Sequence, residues 1–388
     1  MPHCRAQRLD QLPPYLFVEM DRRTQAAVAA GKDVISFGIG DPDQPTPDFI
    51  VERLQAAARQ PANHRYPPGA GTAAFRKACA DYMRRRFGVT IDPDTQVTMV
   101  IGTKEGIGHL PLAVVNPGET VIVPEPGYPV YTASAVFAGA EIHRLPLSPD
   151  RGWLPDWDAI PPAVAKSAAL MFLNYPNNPT GATATLADLQ RAVRFGREQD
   201  VLIAHDAAYA DVYFESAPPS ILQVDGAMDY AVEFHSLSKS FNMTGWRIGF
   251  AVGDARVVRS LAALKNNLDS GQFGAIQAAG VEALQHSDHP AVQAMKKIYR
   301  ERRDIVVDAL AGMNICVTRP PAGFYIWARC PDGYASMDFC AKVLDETGVV
   351  IIPGAGFGRC GEGYFRLALT VNADRTREAM DRLRRMAW

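Results

Sequence analysis

The chain has 388 residues, enough for two domains or for one large and one small, and its 47% hydrophobic and 21% charged composition is that of an ordinary globular protein. A formal net charge of −2 leaves no electrostatic footprint for nucleic acid or an anionic membrane surface, and no apolar run is long enough to cross a bilayer. Cys4, Cys79, Cys316, Cys330, Cys340 and Cys360 contain no C-x-x-C pair, so they read as reduced thiols of a cytosolic protein, with neither disulfides nor a metal site expected.

The opening "MPHCRAQRLDQLPPYLF" is polar and proline-marked, with no apolar leader. "VIGTKEGIGHL" (100–110) reads as a strand that ends at a glycine and opens a helix. "TVIVPE" (120–125), "AALMFLN" (168–174), "VLIAHD" (201–206) and "AVEFHS" (231–236) are short apolar runs bounded by turn residues. "TLADLQRAVRFGREQD" (185–200), between two of them, has helical spacing of its apolar residues. Strand, helix, strand in succession predicts an α/β fold with a parallel sheet and crossover helices. Beyond it, "HPAVQAMKKIYRERRDIVVDALAGM" (289–313) reads as one long helix, followed by the strand patterns "GFYIWA", "GVVIIPG" and "GYFRLAL" and the amphipathic helix "TREAMDRLRRMA". We expect a large domain at 46–286 and a smaller α+β domain made of 1–45 and 287–388.

In parallel sheets ligands bind beyond the carboxyl ends of the strands. Polar residues cluster there: "NYPNNPTG" after one strand, Asp206 ending another, "SLSKS" after a third. A lone lysine is usually a solvated surface residue. Lys239 follows an apparently buried strand, where desolvation lowers an amine's pKa and makes it a nucleophile toward an aldehyde. Ser236, Ser238 and the forked guanidinium of Arg247 suit a phosphate. An amine nucleophile beside a phosphate site points to pyridoxal phosphate (PLP). Asp206 is either a helix cap or the carboxylate that keeps a PLP ring nitrogen protonated. Tyr209 and Asn178 are either a packed aromatic and a turn residue or donors to the ring's phenolic oxygen. Gly102, Thr103 and Lys104 could present free helix-terminal amides to phosphate, Tyr128 could stack on a ring, and Arg366 is either an exposed edge residue or a fork for a substrate carboxylate.

Read together, "GIGDPD", "RYPPGAG", "GTKEGI", "EPGYP", "NYPNNPTG", "HDAAY", "SLSKSFNMTGWRIG" and "FRLAL" occur in an order that resembles the fold-type I, class I/II PLP-dependent aminotransferases over nearly the full length. The resemblance implies a large domain with a mostly parallel seven-stranded sheet and a cytosolic homodimer with shared active sites. It implies that Lys239 bonds the cofactor, that Asp206 pairs with its ring nitrogen, and that Tyr209 and Asn178 reach its phenolic oxygen. Ser236, Ser238, Arg247, Thr103 and Lys104 would hold the phosphate, Tyr128 would stack, and Tyr66 would reach the phosphate in the other subunit. Gly40 and Arg366 would receive a substrate α-carboxylate. Within the family the chain is similar to the LL-diaminopimelate aminotransferases and their relatives, through "PPYLFVEMDRR", "GIGDPDQPTPDFI", "NLDSGQF" and "IIPGAGFG". That likeness implies substrate contacts from Tyr15, Lys104 and Asn178, although Gly69 stands where the plant-type enzymes carry a glutamate. The implied reaction moves an amino group between an L-amino acid and a 2-oxo acid such as 2-oxoglutarate. The alternatives are a general alanine–glutamate, aspartate or methionine aminotransferase and, more remotely, a PLP-dependent β-lyase.

Overall fold

The computed structural model describes residues 4–12 and 16–387. Among these described residues there are twelve strands: β1 (Ile35–Ser36), β2 (Val97–Val100), β3 (Thr120–Glu125), β4 (Glu141–Pro146), β5 (Ala168–Asn174), β6 (Leu202–Asp206), β7 (Ala231–Ser236), β8 (Gly249–Gly253), β9 (Tyr325–Arg329), β10 (Val349–Val350), β11 (Ile352–Pro353) and β12 (Tyr364–Ala368). Seven of them form one sheet in the order β2-β8-β7-β6-β5-β3-β4, parallel from β7 through β4, with β8 antiparallel to both its neighbours. The architecture is thus the expected mostly parallel seven-stranded sheet.

The central strands are apolar without a break because helices cover both faces. Alternate residues divide between two cores. Leu170, Phe172, Ala204, Val232 and Phe234 face one core with Tyr131, whereas Met171, Leu173, Ile203 and Ala231 face the other. The predicted helix at 185–200 runs Leu186–Gln199 and starts in a capping box, Thr185 accepting from Asp188 N–H while the Asp188 carboxylate accepts from Thr185 N–H. The long helix is Pro290–Gly312, capped by the His289 ring.

Two boundaries differ from the sequence reading. The last helix begins at Ala373, because the Asn372 side chain caps it by accepting from Arg375 N–H at 2.9 Å. "GVVIIPG" is two strands, not one. β10 pairs in parallel with β1, and β11 pairs with β12, which also pairs with β9. Arg366 sits in the middle strand of that small antiparallel sheet, opposite Trp327 and Ile352.

β5, β6 and β7 end side by side, with Asn174 opposite Asp206 and Asp206 opposite Phe234. The connection from β7 to β8, residues 237–248, carries the short helix Leu237–Ser240 and the turn Thr244–Trp246. Because those strands are antiparallel neighbours, this connection returns Arg247 to the mouth from which Lys239 leaves. Arg247 takes φ +57, an uncommon conformation outside glycine.

Candidate active site

Beyond these strand ends lies a cavity of about 760 Å³. Gly40, Thr103, Lys104, Tyr128, Asn178, Asp206, Tyr209, Ser236, Ser238, Lys239, Arg247 and Arg366 all line it. Two sequence candidates stand apart. Tyr66 is 88% exposed and outside the cavity wall. Tyr15 lies outside the described residues.

Lys239 Nζ donates to the Gly40 carbonyl at 2.8 Å. Burial lowers its pKa to about 8; Asp41 opposes the shift, and Arg247 and Arg366 reinforce it. Gly40 is required by close approach, since a Cβ there would lie 2.0 Å from the Tyr325 hydroxyl. That hydroxyl is also 3.0 Å from the Tyr209 hydroxyl.

Asp206 is buried at the floor. Its Oδ2 accepts from the Tyr131 hydroxyl at 2.8 Å and its Oδ1 from Ala208 N–H at 3.2 Å. Desolvation raises its pKa against these bonds and against the nearby His205 and His235. Tyr131 is itself stacked on Phe172, with ring centroids 4.8 Å apart.

Arg366 is buried in an otherwise apolar strand, and its partners explain how it is tolerated there. Nη1 donates to Asn178 Oδ1 at 2.9 Å and Nη2 to the Gly38 carbonyl at 2.6 Å. Its guanidinium carbon lies 4.4 Å from the Tyr325 ring centroid and 4.7 Å from that of Phe357. Asn178 is fixed in turn, its N–H donating to Asn174 Oδ1 at 2.7 Å.

At the opposite wall, Gly102 takes φ +77 and the helix Thr103–Val114 begins. A Cβ on Gly102 would lie 2.3 Å from Arg247 Nη2, so the guanidinium packs directly over the glycine that opens the helix. Free amides, a guanidinium and the Ser236 and Ser238 hydroxyls then converge on one wall, a setting for a phosphate dianion. Under the same helix, Lys265 Nζ lies 2.9 Å from both Glu105 and Asp269, placing a cation between these acids.

A phosphate cradle, a buried carboxylate with spare accepting capacity and a desolvated lysine along one cavity fit pyridoxal phosphate. Three participants escaped sequence reasoning. Tyr131 lies in "PGYPVY", three residues after Tyr128, where helical spacing was the available signal; Asn174 opens the quoted "NYPNNPTG". Tyr325 lies in an aromatic strand, and nothing local marked it.

The family model for aminotransferase class I and II matches residues 32–383. A protein of Syntrophobacter fumaroxidans named LL-diaminopimelate aminotransferase is 49% identical over 389 residues, covering 100% of both chains. One of the same name from Aquifex aeolicus is 50% identical over 380 residues, 98% of each chain. Substrate-bound BacF of Bacillus subtilis superposes with a TM-score of 0.96 at 34% identity, covering 100% of this chain and 99% of its own. The chain belongs to the class I and II aminotransferases. It is a transaminase, and its cofactor is pyridoxal 5′-phosphate.

Proposed function

We propose that this enzyme transfers an amino group between LL-diaminopimelate and 2-oxoglutarate. The observation that carries the reading is its end-to-end identity of about one half with proteins named LL-diaminopimelate aminotransferase.

When bound, the cofactor supplies an aldehyde carbon for the amino group and a ring that accepts the electron pair left on the substrate's α-carbon. The chain's residues supply the rest. Lys239 is the amine that bonds the cofactor. With a pKa of about 8, its Nζ can be neutral near physiological pH and move a proton from the α-carbon. Asp206 holds a proton on the ring nitrogen. Asn178 commits its carbonyl oxygen to Arg366, which leaves its amide N–H groups for the cofactor's phenolic oxygen alongside Tyr209. The Thr103 and Lys104 backbone amides, with Ser236, Ser238 and Arg247, bind the phosphate, and Tyr128 stacks on the ring. Arg366, beside Gly40, receives the α-carboxylate shared by donor and acceptor.

The active enzyme is a homodimer in the cytosol, with a cofactor domain at 46–286 and a smaller domain from 1–45 and 287–388. Tyr66 stands clear of its own cavity, as a residue serving the neighbouring subunit would. Among the described residues no helix is long and apolar enough to cross a membrane. Mixing Lys239→Ala subunits with Tyr66→Phe subunits tests the dimer, because one hybrid site then combines an intact Lys239 from one chain with an intact Tyr66 from the other. Recovered activity is expected, and its absence after verified exchange removes Tyr66 from the shared site.

The decisive experiment compares kcat/KM for LL-diaminopimelate, alanine, aspartate and methionine against 2-oxoglutarate. LL-diaminopimelate should lead. If it is no better than alanine, the enzyme is a general aminotransferase. Pyruvate and ammonia released without an acceptor from an amino acid carrying sulfur on its β-carbon would instead mark a β-lyase.

A further inference from the structure

Resting on that reading, we propose that Asp21 is the residue that recognises the distal ammonium of the substrate and so sets preference for a diamino over a monoamino diacid. LL-diaminopimelate is an amino acid at both ends. Once one end is committed to Lys239 and Arg366, the other still carries an ammonium and a carboxylate. An ammonium placed against protein walls needs acceptors, and an anionic one offsets its desolvation most.

The cavity lining contains two carboxylates, Asp206 and Asp21. Asp206 is buried at the floor and held by Tyr131 and Ala208, where the cofactor ring belongs. Asp21 enters from elsewhere, on the helix Leu16–Ala29, with Met20 and Thr24 beside it on the wall. Its neighbours in sequence leave it available. Arg22 and Arg23 both turn to Glu19, at 2.8 and 3.0 Å, and Thr24 Oγ1 donates back to the Met20 carbonyl. Among the described residues Asp21 makes no ion pair. Lys104, a lining cation, likewise has no ion pair among them. One uncommitted anion and one uncommitted cation in one cavity match the zwitterionic far end of the substrate.

Asp21 is solvent-accessible, so its attraction is that of a cavity mouth: real, screened by salt and read as selectivity. The test uses the holoenzyme and two donors of equal length, LL-diaminopimelate and L-2-aminopimelate, which lacks the distal amine. The wild type should favour LL-diaminopimelate. In Asp21→Asn that ratio of kcat/KM values should fall about tenfold, chiefly through KM, as loss of a charge-assisted contact requires. Asp21→Glu should restore part of it. The rise in Tm that LL-diaminopimelate produces over L-2-aminopimelate should shrink in parallel, and the wild type's preference should weaken with added salt more than the variant's. If the wild type prefers LL-diaminopimelate and Asp21→Asn keeps the same ratio, Asp21 is not the selector while the proposed function stands. A wild type that does not favour LL-diaminopimelate sinks both.

Discussion

Asp206 and Glu233 are buried carboxylates on neighbouring strands, and they face opposite sides of the sheet. Glu233 lies on the side of Ile203 and Ala231. It accepts from His205 Nδ1 at 2.8 Å, His235 Nε2 at 2.6 Å, the Ser220 hydroxyl at 2.8 Å and Ile221 N–H at 2.9 Å. Burial alone would raise its pKa, but the two histidines override burial and hold the carboxyl well below the usual range. Asp206, on the side of Tyr131, has two donors, and burial wins: its pKa is raised. The difference is one of completeness. Glu233 is a finished anchor that ties the 220–221 turn to β6 and β7. Asp206 is left short of partners, and a protonated ring nitrogen would supply the missing one.

Exchanging each acid for its amide should split activity from stability in opposite ways. Asp206→Asn should lower kcat by at least about a hundredfold, the scale for losing a preorganised electrostatic stabiliser. The cofactor-free protein should keep or gain Tm, because a carboxyl with a raised pKa costs stability as pH rises through that value. Glu233→Gln should leave turnover per folded molecule largely intact and cost about 3–5 kcal/mol of stability, since it strips the charge from a buried, paired network. Glu233, its pKa lowered, contributes stability that is present above the unfolded carboxylate pKa of about 4.3 and lost as pH falls. The acid limb of a Tm–pH profile should therefore flatten in Glu233→Gln. Catalytic collapse in Glu233→Gln with unchanged Tm would erase the distinction.

Arg366 tests the same idea with the sign of charge reversed: a buried cation held by two carbonyl oxygens and two aromatic faces. Arg366→Lys turns a fork into a point charge. It should weaken kcat/KM for donor and for 2-oxoglutarate alike, by about 1.5–3 kcal/mol. Kinetics unchanged for both substrates would remove Arg366 from the carboxylate site.

This comparison marks what the sequence could and could not convey. Strand ends at Asn174, Asp206 and Ser236 were legible because buried parallel strands are continuous apolar runs and the site residues follow them directly. Lys239 and Arg247 were legible because one short connection holds both. The Glu233 network was not, because "AVEFHS" reads as a plain buried strand and its acid is satisfied by His205 on β6 and by the 220–221 turn. Tyr325 was hidden for the same reason: its contacts are with Gly40 and Tyr209, both distant in sequence, Tyr209 by 116 residues. Asp21 lies in the quoted "PPYLFVEMDRR", where nothing local marks it as a cavity residue.

The smallest effect concerns Lys239, half-buried where Asp206 is buried but likewise short of partners. Among the described residues its one hydrogen bond goes to the Gly40 carbonyl, and a neutral acceptor offsets little of the desolvation. Burial sets its pKa at about 8; Asp41 pulls it up, and Arg247 and Arg366 push it down. In the cofactor-free protein, an amine-directed reagent should label the Lys239 peptide with a midpoint near pH 8, against about 10.4 for ordinary lysines. Arg366→Ala should move the midpoint upward by removing one repelling cation, and Asp41→Asn should move it downward. Because the folded pKa is lowered, the charged amine costs stability fully below pH 8, and that cost fades as pH rises toward the unfolded value. Lys239→Met should accordingly raise the Tm of the cofactor-free protein at pH 7 more than at pH 10. A Lys239 midpoint at the ordinary lysine value would show that the amine is hydrated in the free enzyme, and its likeness to Asp206 would fail.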